Sequence, residues 1–368
     1  MKEFVKAKAG AAVDFWKTYE HRLGVGALAV GFTFDLFVAK SPDNIIDNIL
    51  LLCYLCIAGS IIILLNIRTR RQMEQDSPAE PLTLLLILQF CFGGLASNLL
   101  VLYGKSGTLT ASAFFIALLV CLVLGNEYLR SRYSQLRFNI VVYYFLLLTY
   151  CIIAAPTFIF HSIGAGTFIF SGTISLVVIG LYLTLLFSIV LRGDRRRQVR
   201  ELGAYVLAIF LVFNGLYFFN VIPPVPLSLK DSGVYHSILK YSSGGYFATY
   251  EPAPLWQFWR DTSATFDFTA GQSAYCFSSV YAPANLDTPV DHHWEHYNES
   301  TGQWDTVART TFPISGGRAG GYRGYTAVTM SAGQWRCDVE TESGALIGRI
   351  SFDAVVASSA PALSQTTL

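Results

Sequence analysis

Residues 202–226 read LGAYVLAIFLVFNGLYFFNVIPPVP, and they divide the chain into two unlike halves. From Leu202 to Ile222 the run carries no charge, and about 20 apolar residues at 1.5 Å each are what a helix needs to cross ~30 Å of hydrocarbon. Pro223 and Pro224 then end the helix. Runs of the same kind recur upstream of this stretch, and none recurs downstream. Whole-chain figures, 368 residues, 53% hydrophobic and net charge +1, therefore average an apolar front onto a polar tail.

Hydropathy predicts spans over 23–39, 45–66, 82–103, 107–126, 139–160, 168–191 and 202–222. Their direction follows from Lys and Arg, which are retained on the cytoplasmic side. Alternate loops hold sixteen basic residues on one side (Lys2 to Arg22, Arg68 to Arg71, Arg130 to Arg137, Arg192 to Arg200) against Lys40 and Lys105 on the other. The N-terminus is thus expected in the cytoplasm, and an odd count of seven delivers everything after Ile222 to the outside. Asp35 interrupts the first span, yet dropping that span would place the Lys2–Arg22 and Arg68 clusters on opposite sides. Small residues Gly93, Gly94, Ala96 and Ser97 suit close helix approach in the third span.

Residues 1–22 are mixed in charge and lack the continuous apolar core of a cleavable signal, so the first span is expected to act as the insertion signal. Phe4, Ala11, Phe15 and Tyr19 fit either an amphipathic helix on the inner surface or a solvated helix.

Beyond the Pro pair, residues 223–260 are rich in Pro, Gly, Ser and aromatics and read as a linker. Trp256, Phe258 and Trp259 fit a membrane interface or the underside of the following domain. Six strand-like runs follow within 261–357, beginning SAYCFSSVYA, VDHHWEHYN, WDTVARTTFPI, GYTAVTM, WRCDVET and ALIGRISFDAVV. Turn signals separate them, Glu342-Ser343-Gly344 among them. The fold class is a seven-span α-helical membrane bundle followed by an all-β, antiparallel, sandwich-like extracytoplasmic domain. Residues 358–368 read as a disordered tail.

Five of seven cysteines lie in predicted spans, where they are packing residues. Cys276 and Cys337 lie in predicted strands and are open to two readings, a disulfide in an oxidising compartment or a pair of free thiols.

The densest set of ligand-type side chains is Asp291-His292-His293-Trp294-Glu295-His296. On a strand, His292, Trp294 and His296 share one face, while Asp291, His293 and Glu295 share the other. A metal site needs a third ligand from a neighbouring strand, whereas Trp294 between the imidazoles points to packing and hydrogen bonding. Gly316 to Gly324, with Arg318 and Arg323, suits a loop or bulge, or else an anion site. Tyr281, Trp294, Tyr297, Trp304 and Tyr322 are candidates for an aromatic platform or for core. In the spans, Asp35, Asp47 and Lys105 fall near the outer surface, where they bind a polar substrate or simply snorkel, and Asn126 with Glu127 falls at an inner end. No nucleophile elbow, phosphate loop, HExxH or paired-cysteine zinc signature occurs, which removes the commoner enzyme classes. The balance of 18 basic residues and 12 acids up to Ile222, and 8 and 13 after it, excludes an ordinary nucleic-acid binder.

The ending resembles the bacterial C-terminal domain of unknown function 2914. Its pattern appears here as His292 with Trp294, a strand from Val307 to Ile314, Arg318 to Thr326, then Gly333 with Trp335 to Val339, and Gly344 to Phe352. The front looks like the membrane part commonly fused to that domain, through Gly31 to Asp35, Phe92 to Ser97 with Val101 to Ser106, and Asn126-Glu127. The sequence departs from the family at Tyr322 to Thr326, where an aromatic Arg-Thr-Trp-Ser run is usual. The resemblance implies an architecture and no established activity.

The expectation is an inner-membrane protein with a periplasmic β domain that binds or senses an envelope glycan, peptide or protein, without cofactor, metal or nucleic acid. Two alternatives stand beside it. One is a transporter or lipid-linked substrate handler using Asp35, Asp47 and Lys105, and the other is a metal-dependent envelope enzyme built on His292.

Overall fold

The computed structural model describes residues 44–74, 82–105, 116–121, 135–189, 195–222, 224–241, 245–254, 257, 260–283, 286–318, 320–358 and 361–368. Two compact units emerge, one helical and one β-rich.

The helical unit is built from α1 (Ile45–Glu74), α2 (Leu82–Lys105), α3 (Leu136–Ala155), α4 (Ala165–Ile189) and α5 (Arg195–Phe218). With the π-helical turn Pro156–Phe160 that continues α3, each supplies 21 to 25 residues, long and apolar enough to cross a membrane. They coincide with the spans expected at 45–66, 82–103, 139–160, 168–191 and 202–222. The expected span 23–39 lies outside the described residues, and of 107–126 only 116–121, which are helical, lie within them. The count of seven is therefore not established.

Helix contacts run through small residues, as expected for apolar helices that approach closely. A Cβ on Gly94 would sit 3.0 Å from the Tyr54 ring, one on Gly59 3.1 Å from the Tyr143 hydroxyl, and one on Gly172 2.8 Å from Phe210. Hydroxyls also tie helices together: Tyr103 of α2 donates to the Thr149 carbonyl of α3 at 3.1 Å and Tyr182 of α4 to the Gly59 carbonyl of α1 at 2.9 Å.

The β-rich unit comprises β1 (Ser228–Tyr235), β2 (Ser237–Lys240), β3 (Tyr246–Tyr250), β4 (Thr265–Phe268), β5 (Ser273–Tyr281), β6 (Asp287–Asn298), β7 (Gln303–Ser315), β8 (Tyr322–Thr329), β9 (Gly333–Thr341), β10 (Leu346–Val356) and β11 (Ser364–Thr367). They form sheets of order β1-β5-β8, β4-β10-β9-β6-β7 and β11-β3-β2. Val234 and Cys276 from the first sheet and Trp294, Cys337, Val339 and Phe352 from the second meet in one buried cluster. This is the sandwich that alternating strands require, because each sheet has one apolar face to bury. Gly344, with φ 80, turns β9 into β10 as its sequence predicted.

Three expectations differ from the structure. Residues 223–260 are more than a linker, since β1, β2 and β3 lie in them, and the domain begins well before residue 261. The sheet is not wholly antiparallel, because β4 runs parallel to β10 in the register Thr265↔Asp353 to Phe268↔Val356. Residues 364–367 form β11 against β3, where an unstructured tail was expected. β2, β3, β4 and β11 are four or five residues long, too short for alternation to stand out, and β1, β4 and β11 pair with strands distant in sequence.

Candidate functional site

The buried face of β6 brings His292 and Trp294 into the core between the sheets, both fully inaccessible. Around them stand Cys276 and Cys337, which are disulfide-bonded and so join β5 to β9 across the sandwich. Of the two readings open for these cysteines, the structure gives the bond. His292 Nε2 lies 2.7 Å from Ser278 Oγ and Nδ1 lies 3.0 Å from Thr326 Oγ1. The Thr326 hydroxyl accepts from Trp294 Nε1 at 2.8 Å. Both ring nitrogens of His292 thus have a hydroxyl partner. Burial pushes the His292 pKa down to about 4, against the pull of Asp291. A neutral ring with both nitrogens engaged, out of reach of solvent, ties β6 to Ser278 of β5 and Thr326 of β8 inside the core.

Cys276, His292 and Cys337 also form the one group among the described residues whose ligand-type atoms all fall within 4.8 Å of one another. The disulfide occupies both sulfurs, and a metal needs thiolates. The closed bond and a metal are therefore alternatives at this place. His296, the third residue of that face, points its Nε2 to the Ala332 carbonyl at 3.1 Å and packs on Trp335. Trp335 is itself buried and donates to the Ser331 carbonyl.

The opposite face of β6 carries charge. Asp291 accepts from Arg309 of β7 at 2.7 Å, and Glu295 pairs with Arg336 of β9. Asp338 of β9 takes both guanidinium nitrogens of Arg349 on β10, at 2.7 and 2.5 Å. Glu340 lies 3.5 Å from His293 Nδ1 and 3.4 Å from Arg309. Burial raises the Glu340 pKa while His293 and Arg309 oppose the rise. At one end of this face the Arg336 guanidinium lies 4.3 Å from the centre of the Trp304 ring, and Tyr297 is 5.2 Å from Trp304. Arg309, Asp338, Glu340 and Arg349 were not singled out in the sequence. The signal was present as charges at alternate positions of β9, but the strand order that places them beside β6 is not a local property.

The Gly-rich segment is pinned rather than open. The Gly316 and Gly317 amides donate to the Leu286 and Ala282 carbonyls. A Cβ on Gly316 would stand 1.7 Å from the Pro283 oxygen, and one on Gly324 2.8 Å from Phe312. Arg318 rests over Tyr322 at 5.2 Å, and Arg323 donates to the Leu368 oxygen at 3.1 Å. The five aromatics do not make one platform, because Trp294 is in the core and Tyr281 is buried, with Lys230 over its ring.

Of the polar residues expected near the membrane surfaces, Asp47 is buried in the first turn of α1. Lys105 ends α2, and its side chain, like Asp35, Asn126 and Glu127, lies outside the described residues. Trp256, Phe258 and Trp259 do so as well.

Residues 287–354, from β6 into β10, match the model of a family described as a protein of unknown function, DUF2914. No curated protein matches the chain. Among solved structures, the chain is similar to an immunoglobulin-like protein of Pseudomonas aeruginosa (13% identity, 35% of this chain and 96% of that one, TM-score 0.21). It is also similar to a β-glucosidase of Listeria innocua in complex with gluconolactone (8% identity, 34% and 16%, TM-score 0.19). A third similarity is to the alkylpurine DNA glycosylase AlkC of Pseudomonas fluorescens, bound to DNA containing an abasic site analogue (8% identity, 86% and 100%, TM-score 0.23).

Proposed function

We propose that this chain is a multi-span protein of the bacterial inner membrane whose β domain works on the periplasmic side as a non-enzymatic binding or sensing module. The observation that carries the reading is the Cys276–Cys337 bond buried between the two sheets of a domain that follows five membrane-length apolar helices. A structural disulfide in a bacterial chain belongs outside the cytoplasm, which agrees with the side assigned by the sixteen-to-two distribution of basic residues. Membrane residence is supported further by the outward faces of the helices, where Ile46, Leu181 and Phe90 are each at least 65% exposed. Apolar surface of that kind is suited to lipid and costly in water.

Within the β domain His292 and the Asp291, Glu295 and Asp338 carboxylates are buried, so the accessible chemistry is the Arg309 guanidinium and the half-buried Tyr297–Trp304–Arg336 corner. Half-buried aromatics beside paired charges suit a polar polymer, such as a glycan or an extended peptide, which offers both rings to stack on and groups to hydrogen-bond. The full chain in detergent, immobilised and exposed to solubilised envelope extract, is expected to retain a component that a Trp304→Ala/Arg336→Ala variant releases. Equal retention by both, or none by either, would overturn the assignment.

A further inference from the structure

Residues 364–368, Ser-Gln-Thr-Thr-Leu, lie as an added strand on the edge of β3. The register is Ser364↔Tyr250, Gln365↔Thr249, Thr366↔Ala248 and Thr367↔Phe247. Leu368 and Tyr246 exchange both main-chain hydrogen bonds, at 2.8 and 3.2 Å. Alternation leaves Ser364, Thr366 and Leu368 half-buried and turns Gln365 and Thr367 outward. Leu368 packs on a cluster of Tyr235, Ile238, Tyr246, Ala248 and Phe277. Arg323 of β8 holds the Leu368 oxygen from the other side at 3.1 Å.

Every part of this groove comes from elsewhere in the domain: the edge from β3, the apolar seat from β1, β2, β3 and β5, and the hook from β8. The occupant is different in kind. It is four paired residues with one neighbouring strand and one apolar side chain, joined to β10 through residues 357–363, which include Pro361. Its removal would leave the groove assembled, with an open sheet edge and a vacant seat, which is the arrangement that accepts a strand from another chain.

We propose that the β3 groove docks residues 364–368 of a second copy of this chain, so that two β domains are joined by exchange of their final strands. The native segment is the ligand whose fit is on display, and exchanging an identical element needs no new complementary surface. Residues 358–363 extended would span about 20 Å, which sets how near two copies must stand. The inference is independent of what the outer face of the five-stranded sheet binds.

The test uses the full chain in detergent, with Cys53, Cys56, Cys91, Cys121 and Cys151 changed to Ser. One preparation carries Thr249→Cys and the other Gln365→Cys, positions that face each other in the register. Mixed and oxidised, they are expected to give a covalent dimer that neither gives alone and that excess peptide PALSQTTL suppresses. Adding Leu368→Asp to the Gln365→Cys partner should lower the yield about tenfold, through the fraction of strands able to dock. A chain carrying both cysteines that closes within itself, while the mixture yields no dimer, would overturn the proposal. Should neither close, labelled PALSQTTL decides: a chain ending at Ala357 should bind it saturably, and about tenfold more tightly than the intact chain, whose groove is already filled. Absence of binding to that shortened chain, with its Cys276–Cys337 bond intact, also overturns it.

Discussion

His292 enters the core already satisfied, one ring nitrogen facing Ser278 and the other Thr326, and this fixes how its charge couples to stability. Above the ordinary histidine value near 6.5 both folded and unfolded chains hold the ring neutral. Between that value and about 4 the unfolded chain takes up a proton that the folded chain refuses. Stability contributed by the buried neutral ring therefore falls as pH drops through this window, by about 3 kcal/mol in all. Unfolding of the β domain, followed by tryptophan fluorescence from pH 7 to pH 4, should show a flatter dependence in His292→Gln than in the native chain. Parallel curves would contradict the assignment. Gly316 makes a different kind of demand, because its missing side chain lets the backbone lie against Pro283. Gly316→Ala should cost about 1 to 3 kcal/mol, since a carbonyl oxygen cannot swing away as a side-chain tip does. An unchanged denaturation midpoint would show that the segment shifts freely. The sequence presents these nine residues as a Gly-rich, basic loop, and only the fold distinguishes glycines needed for packing from glycines that free a loop to bind an anion.

At the scale of elements, β5 and β9 are held by the Cys276–Cys337 bond across a sequence separation of 61 residues. Closing a loop of that length restricts the unfolded chain, and removing the bond typically costs about 2 to 5 kcal/mol. Cys276→Ala/Cys337→Ala should therefore unfold the β domain at a lower denaturant midpoint while the helical content persists, and a midpoint equal to the native one would argue against a structural role for the bond. Why this sandwich was largely legible is clear strand by strand. β5 to β10 alternate, contain β-branched and aromatic residues, and end in turn residues such as Gly302 and Gly344, both at positive φ. The face shared by His292 and Trp294 followed from the same period of two. β2, β3, β4 and β11 have four or five residues each, too few for alternation to stand out, and β11 is Ser-Gln-Thr-Thr. β1 contains Lys230, Asp231, Ser232 and Gly233, which read as a turn, although the strand pairs with β5. The ion pairs of the outer face were hidden for the same reason: Asp291 meets Arg309 because β7 lies beside β6, and His293 meets Glu340 because β9 lies on the other side.

For the whole molecule, charge distribution and disulfide chemistry make one prediction by separate routes. Basic residues count which loops stay in the cytoplasm, whereas the cysteines record the redox state of the compartment in which each half folds. Five of the seven cysteines, Cys53, Cys56, Cys91, Cys121 and Cys151, are free, and the remaining two are joined. Cells quenched in acid, denatured and treated with a bulky maleimide should therefore yield a chain carrying five adducts, rising to seven when reductant precedes the label. An alkaline phosphatase joined after Leu368 through a flexible linker should be active in the same cells, because that enzyme also needs an oxidising compartment. The two readouts separate the ways the orientation can fail. Seven adducts without reductant and an inactive fusion would place the β domain in the cytoplasm and imply an even number of spans, which would remove the span around Asp35 first. Seven adducts with an active fusion would keep the domain outside and leave Cys276 and Cys337 reduced beside His292, and in either seven-adduct outcome the open thiols would free that trio to hold a metal ion.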